Sequence, residues 1–379
     1  MAIDFPDTPV NNQIKIIGTD LTYTYNAAKK VWAAAKSAVC EPQNYILNPC
    51  FQSSQENGDA VMSVSTCVLD AWWLQTSTSS CSAQRVAAVS PPNASKYALQ
   101  MSVLTPIASA AAGDYASLYQ FIEGQWIQNF FQGTAYAKYA VLRFWVKASH
   151  AGTYGGALRS MGTARSYPFA YTISSGQVNT WVMVQINIPG DTGGTATNWP
   201  KDNTYCAILW FTFFAGTNWR ATPSTWAVSN AIAPTGINAV LPSGGVFQIA
   251  DVGFYRDSLL AQNAPRWVPP DDLLSRRQAM RYWYKAKLMN GASNTSTLAG
   301  RMGMPHPVAM RAVPAQAEIG TMTVSDMSPP VGVSAVTAVG NSFCGESNIT
   351  TASGLTVGNA ATFTNPGSSS ANYIAMNAR

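Results

Sequence analysis

Charge is scarce in this chain. Of its 379 residues 11% are Asp, Glu, Lys or Arg, against about 25% in an ordinary soluble domain. The net charge of +5 is modest, and no block of Lys and Arg occurs, which argues against a nucleic-acid partner. No stretch of 18 apolar residues exists, so no membrane-inserting helix is expected. The opening Met1-Ala2-Ile3-Asp4-Phe5-Pro6 lacks the charged and apolar regions of a signal peptide, and folding in a cytoplasm is expected. Histidine is limited to His150 and His306. No His-Glu-x-x-His, Walker loop or Gly-x-Ser-x-Gly elbow is present. His150 reads as a surface residue at a strand end, and His306, between two prolines, as structural. The six cysteines form no Cys-x-x-Cys and are too sparse for a disulfide scaffold. They read as idle buried thiols, with Cys40/Cys50 or Cys67/Cys81 as the pairs an oxidising medium would join. No tandem repeat appears, unlike the parallel β-helices of glycan-cleaving spikes. Glu123, Asp191 and Asp251 are the carboxylates available for such hydrolysis, and no spacing singles out a pair. The expectation is that the chain is not an enzyme.

What the sequence does contain is strand signal. Hydrophobic residues make up 47%. In Ala140 to Lys147, Leu142, Phe144 and Val146 share one face, while Arg143 and Lys147 share the other. Val182, Val184, Ile186 and Ile188 share one face, as do Phe247, Ile249 and Tyr255. Cys206 to Phe214 is apolar almost throughout, as in a strand covered on both faces. Gly, Pro, Asn, Asp and Thr clusters separate these runs. Gly152-Thr153-Tyr154-Gly155-Gly156 reads as a hairpin turn rather than a phosphate cradle. The fold class is therefore mainly β, a central jelly-roll β-sandwich. Four segments follow: a short N-terminal anchor over 1–40, the sandwich over 41–268, a linker helix within 269–290, and a small C-terminal β domain over 291–379. In the first, Ile14–Ile17, Leu21–Tyr25 and Lys30–Trp32 favour strand, and Ala33–Val39 favours helix. In the third, Asp271 and Asp272 cap a helix expected to reach Leu288. In the last, strands are expected over Gly320–Val324, Val331–Val339 and Asn372–Met376.

Particular motifs resemble tailed-bacteriophage fibre and virion structural proteins. Phe5-Pro6-Asp7-Thr8-Pro9, leading through Tyr23-Thr24-Tyr25 to Lys30-Val31-Trp32, resembles their N-terminal attachment module, with Ala27-Ala28 where a Gly turn is usual. Asn48-Pro49-Cys50-Phe51, Val68 to Trp73, Leu142 to Ala148 and Phe247 to Tyr255 resemble the carbohydrate-binding-module-like jelly roll of such proteins. Ala279 to Lys285 and Pro305 to Pro314 are similar to their terminal tip module. The resemblance implies a virion subunit, assembled in the host cytoplasm and displayed on the particle surface. It further implies a homotrimer that contacts other virion proteins through its N-terminus.

Candidate contacts follow from residue chemistry. Trp199, Trp219 and Trp226 lie in Asn/Thr/Pro/Gly stretches, where an aromatic face could stack on the C–H groups of a bacterial surface polysaccharide. The alternative is that they staple their own loops. On the helix, Met280, Tyr282 and Trp283 would be buried if three copies packed around an axis; docking on the chain's own domain is the other option. Asp251 in the last sandwich strand resembles the acid that helps hold a structural calcium in jelly-roll modules, with Asp70 as a second acid. No other cofactor is implied. The leading expectation is a tail-fibre or receptor-binding subunit; the alternative is an architectural decoration, collar or baseplate component.

Overall fold

Alternating apolar residues build most of the regular structure as antiparallel strands. The computed structural model describes residues 8–10, 13–17, 21–35, 43–88, 95–161, 165–257, 267–286, 290–294, 299–319, 323–325, 331–338, 344–351, 360–364 and 373–379. Two compact units result, Met1–Asn44 and Tyr45–Arg379.

The first unit is an antiparallel sheet of β1 (Ile14–Ile17), β2 (Leu21–Asn26) and β3 (Val31–Ala35) in that order. The β2–β3 turn forms without glycine. Asn26 Oδ1 accepts the Lys29 N–H at 3.0 Å, and Lys30 takes φ +50°. An Asn side chain can replace a backbone turn in this way. Ala33–Ala35 were expected to be helical but form strand, because pairing with Thr22–Thr24 overrides alanine's intrinsic helix propensity. The Phe5-Pro6 start and Lys36–Cys40 lie outside the described residues.

The second unit is centred on a sandwich. Its strands are β4 (Thr66–Leu69), β5 (Trp72–Thr76), β6 (Cys81–Ala87), β7 (Tyr97–Val103), β8 (Tyr115–Glu123), β9 (Tyr139–Ala148), β10 (Gly152–Ser160), β11 (Arg165–Ile173), β12 (Val182–Ile188), β13 (Tyr205–Ala215), β14 (Arg220–Ala221), β15 (Ala227–Val228), β16 (Ala233–Pro234) and β17 (Val246–Asp257). One sheet has the order β15-β11-β10-β13-β8-β5-β4 and the other β12-β9-β17-β7-β6. Between them Trp72, Leu118, Phe211 and Phe169 of the first sheet meet Leu142, Phe144, Val146 and Phe247 of the second. Burying each such side chain contributes roughly 1.5–3 kcal/mol.

Two local expectations change in this frame. A bulge between Ala250 and Gly253 shifts the phase of β17, so Phe254 rather than Tyr255 joins Phe247 and Ile249 in the core. The Gly152–Gly156 run is strand, not a turn. A Cβ at Gly155 would meet the Phe169 carbonyl oxygen at 2.1 Å, and one at Gly156 the Trp210 carbonyl oxygen at 1.8 Å. Glycine there permits close approach of neighbouring backbones. Strand β13 is covered on both faces as its composition suggests: Leu209, Phe211 and Phe213 face the core, and Ile208 and Trp210 a second cluster outside the sheet.

Cys50, Cys67, Cys81 and Cys206 are free and buried, so Cys67 and Cys81 are not joined here, while Cys40 lies outside the described residues. Burial pushes each of these thiols up to about 12.

Beyond a short turn of helix, α1 (Gly124–Ile127), the chain forms α2 (Asp272–Met280). Asp271 caps α2 by accepting the N–H groups of Leu273 at 2.7 Å and Leu274 at 3.0 Å. The helix ends eight residues before the expected Leu288. Its aromatic continuation is recruited to β18 (Trp283–Ala286), where Trp283 and Tyr284 are buried. After it come β19 (Asn290–Asn294), β20 (Ala299–Pro305), β21 (Ala315–Ile319), β22 (Thr323–Ser325), β23 (Val331–Ala338), β24 (Cys344–Thr351), β25 (Ala360–Thr364) and β26 (Tyr373–Asn377). Strands β18-β26-β21 form a sheet, and β19-β20-β24-β23-β22-β25 close into a barrel, which leaves no edge unpaired. Among the described residues no helix is long and apolar enough to cross a membrane.

Candidate functional site

At one end of the sandwich the loops entering β9, β11 and β13 converge on Asp191. Its carboxylate is fully buried. It accepts hydrogen bonds from Arg165 Nε at 3.0 Å and from Arg165 Nη2. Trp199 Nε1 donates at 3.0 Å and the Gly193 N–H at 3.2 Å. Its own N–H donates to Gln132 Oε1 at 2.5 Å, and its carbonyl accepts the Gly133 N–H at 2.8 Å. The bidentate bond to Asp191 holds the Arg165 guanidinium above its ordinary pKa. A buried carboxylate is tolerated because its lone pairs are satisfied this fully.

Trp199 and Trp226 belong to this frame. Trp199 is 2% exposed. Trp226 donates from Nε1 to the Pro189 carbonyl at 2.7 Å and meets Trp199 edge-on at 5.7 Å. Both therefore staple loops. Trp219 lies in the cluster outside the seven-stranded sheet, donating to the Gly113 carbonyl at 2.8 Å and packing on Tyr115. The three tryptophans are not brought together as one surface.

The Asp191 frame instead supports a loop that sequence reasoning missed. Residues 131–138 are closed by the Lys138 N–H on the Phe130 carbonyl at 2.8 Å and by Gln132 Nε2 on the Lys138 carbonyl at 3.1 Å. On this loop and at its exit, Phe131 is 41% exposed, Tyr136 76% and Tyr139 39%. Phe131 also takes φ +53°, an uncommon conformation for a bulky residue. Thr134 Oγ1 fixes the turn by donating to its carbonyl at 2.7 Å. The signal was present: Phe131-Gln132-Gly133-Thr134-Ala135-Tyr136 mixes aromatics with Gln, Gly and Thr as the tryptophan loops do.

A larger aromatic array lies on the outer face of the seven-stranded sheet. Tyr119 stacks between Trp73 at 6.2 Å and Trp210 at 4.5 Å, and Phe121 stacks on Tyr205 at 4.3 Å. These rings are packed rather than open. Ile232, Ala233 and Ile237 cover one end. Arg379 lies 5.8 Å over Trp73, and Arg311 4.4 Å over Tyr205. The cavity left between Trp73, Phe121, Tyr205, Tyr282 and Arg379 is about 20 Å³, room for a water molecule. Fully buried Glu123 anchors this cover, accepting from Arg281 Nε and Nη2 at 3.1 Å each and from the Tyr282 hydroxyl. Tyr282 and Trp283 are thus buried within a single chain, and their burial needs no second copy. Met280 is half-buried beside an open groove with Leu273, Arg277 and Pro307.

The remaining polar candidates are separate. Glu123, Asp191 and Asp251 are each buried with different partners, so no two of them form a catalytic pair. Asp251, at φ +50° in the β17 bulge, accepts from Ser95 Oγ, while its Oδ2 has no partner. Desolvation raises its pKa, opposed by the Ser95 hydrogen bond and Arg143. Asp70 is engaged by Ser53 Oγ and the Gln55 side chain. Calcium takes six to eight oxygens. Asp251 brings one carboxylate with Arg143 close by, and no group of three His, Cys, Asp or Glu able to hold a metal stands among the described residues. This donor set does not fit calcium. His150 bonds Ser149 Oγ at 2.8 Å and His306 the Tyr284 hydroxyl at 2.7 Å, both structural contacts.

No family model matches the chain. No curated protein matches it. Solved structures do show similarity in the chain trace. The enzymatically active domain of bacteriophage CBA120 tailspike protein 4 aligns at 16% identity and TM-score 0.32, over 56% of this chain and 21% of the tailspike chain. The family 11 carbohydrate-binding module of cellulase Lic26A-Cel5E from Clostridium thermocellum aligns at 11% and 0.26, over 55% and 99%. The CBM22-2 xylan-binding domain of Paenibacillus barcinonensis Xyn10C aligns at 11% and 0.28, over 52% and 99%. The chain thus spans about a fifth of the length of the tailspike domain.

Proposed function

We propose that this chain is a non-enzymatic attachment subunit of a tailed-phage particle, using the loop of Phe131, Tyr136 and Tyr139 to contact a host surface glycan. The observation that carries the reading is the exposure of three aromatics on one short loop and at its exit into β9, anchored by a buried hydrogen-bond hub. Aromatic faces stack on sugar C–H groups, and a pre-ordered loop loses little entropy on binding. Loops on a rigid sandwich commonly carry recognition. The resemblance of the N-terminal motifs to those of fibre proteins is what motivates a virion role. The test is binding of the purified chain to host cells and to a glycan array. Tyr136→Ala with Phe131→Ala is expected to abolish binding while leaving the fold intact; Trp219→Ala tests the other aromatic surface. Undiminished binding by the double variant would sink the reading.

A second reading, assembly alone, is favoured by one observation. Leu273 and Leu274 on α2 are 72% and 55% exposed beside the groove formed with Met280, Pro307 and Val308. In a homotrimer these side chains and Met280 would be covered. Light scattering checks this: Met280→Glu converts a trimer to monomers if the helix lines the interface and changes nothing if it does not.

A further inference from the structure

A second groove, about 370 Å³ in volume, separates the 52–55 loop from α2. Ligand clefts run from ~300 to 1,000 Å³. Both walls are fixed in advance. Asp70 holds the loop through Ser53 Oγ at 2.5 Å, the Gln55 N–H at 3.1 Å and Gln55 Nε2 at 3.0 Å. Arg85 is locked by Asp59 at 2.5 Å, the Gln52 carbonyl at 2.6 Å and the ring of Tyr97 beneath it at 4.3 Å. The helical wall is set by the Asp271 cap.

Within these fixed walls several polar groups are unused. Ser54 Oγ is buried without a hydrogen-bond partner. The Gln52 amide, Ser275 hydroxyl and Arg276 guanidinium line the groove and make no hydrogen bond or ion pair with the described residues. An unsatisfied buried hydroxyl has a cost that a ligand removes. Charge narrows the ligand class. Arg85 is offset by Asp59, and Arg276 stands one helical turn after Asp272, so the lining has no net attraction for an anion. What remains is amide and hydroxyl chemistry.

We propose that this groove binds an uncharged hexopyranose unit, with Gln52 and Ser54 on one side and Ser275 and Arg276 on the other bonding its hydroxyls. The site is independent of the rim loop and stands if that loop binds nothing.

The test is backbone-amide NMR of the full chain titrated with methyl α-D-glucopyranoside, the corresponding galactoside and mannoside, and galacturonate as the charged control. At least one neutral glycoside is expected to shift the amides of 52–55 and 275–276, and to bind more tightly than galacturonate. Ser54→Ala and the exposed Arg276→Ala should each weaken it ~3- to 10-fold, the range for one hydrogen bond. Tyr136→Ala should leave these shifts unchanged. The inference is overturned if no neutral glycoside shifts these amides in the folded chain, if galacturonate binds more tightly, or if both groove variants bind like the parent.

Discussion

Asp191 and Asp251 are both fully buried carboxylates in one sandwich, yet their surroundings differ. Asp191 is met by an arginine, an indole and a backbone N–H. Asp251 has a serine hydroxyl on one oxygen and no partner on the other. The first ties together the loops that present the exposed aromatics. The second sits in a bulge that re-phases β17. A buried charge organises its neighbourhood where donors converge on it; where they do not, desolvation dominates and favours the protonated form.

The largest effect should come from breaking the satisfied site. Asp191→Ala leaves Arg165 without its partner, and urea unfolding should show a loss of about 3–5 kcal/mol. Little change would mean that the hub is not what holds the rim. Trp199→Phe keeps a ring but removes the Nε1 donor, for an expected loss of ~1–3 kcal/mol by the same assay.

Asp251→Asn should act in the opposite direction and more weakly. The folded pKa of Asp251 is raised above its unfolded value. Its contribution is therefore fully present below the ordinary carboxylate pKa and is lost as pH rises through the folded value. The variant should melt above the parent at pH 7, and the two should converge in acid. A parent more stable than the variant at pH 7 would show that Asp251 is ionised and paired in solution. Smallest of all, a thiol reagent at pH 8 should leave Cys50, Cys67, Cys81 and Cys206 unmodified until the chain unfolds, because burial pushes their thiols up to about 12. Rapid labelling would mean that the core opens far more readily than its packing suggests.

Much of the sandwich was legible beforehand. Leu142, Phe144 and Val146 alternate in the sequence and are all buried in the core, because a strand's side chains switch face at every residue. The apolar run of β13 correctly implied cover on both sides. The candidate site was less legible. Tryptophan loops looked like ligand surfaces, but an indole N–H can find a carboxylate eight residues away, as Trp199 does with Asp191, or a carbonyl far along the chain, as Trp219 does with Gly113. Composition cannot distinguish a stapled ring from a free one.

The sequence by itself determined the mainly β class, the phase of most sandwich strands and the capped start of α2, because these depend on neighbours within a few residues. Tertiary structure decided that α2 stops at Met280, that Tyr282 and Trp283 cover the sheet, and that Phe131 and Tyr136 stay exposed while Trp199 does not. Those outcomes depend on which distant donors, rings and backbones arrive at the same place, and long-range pairing sets that.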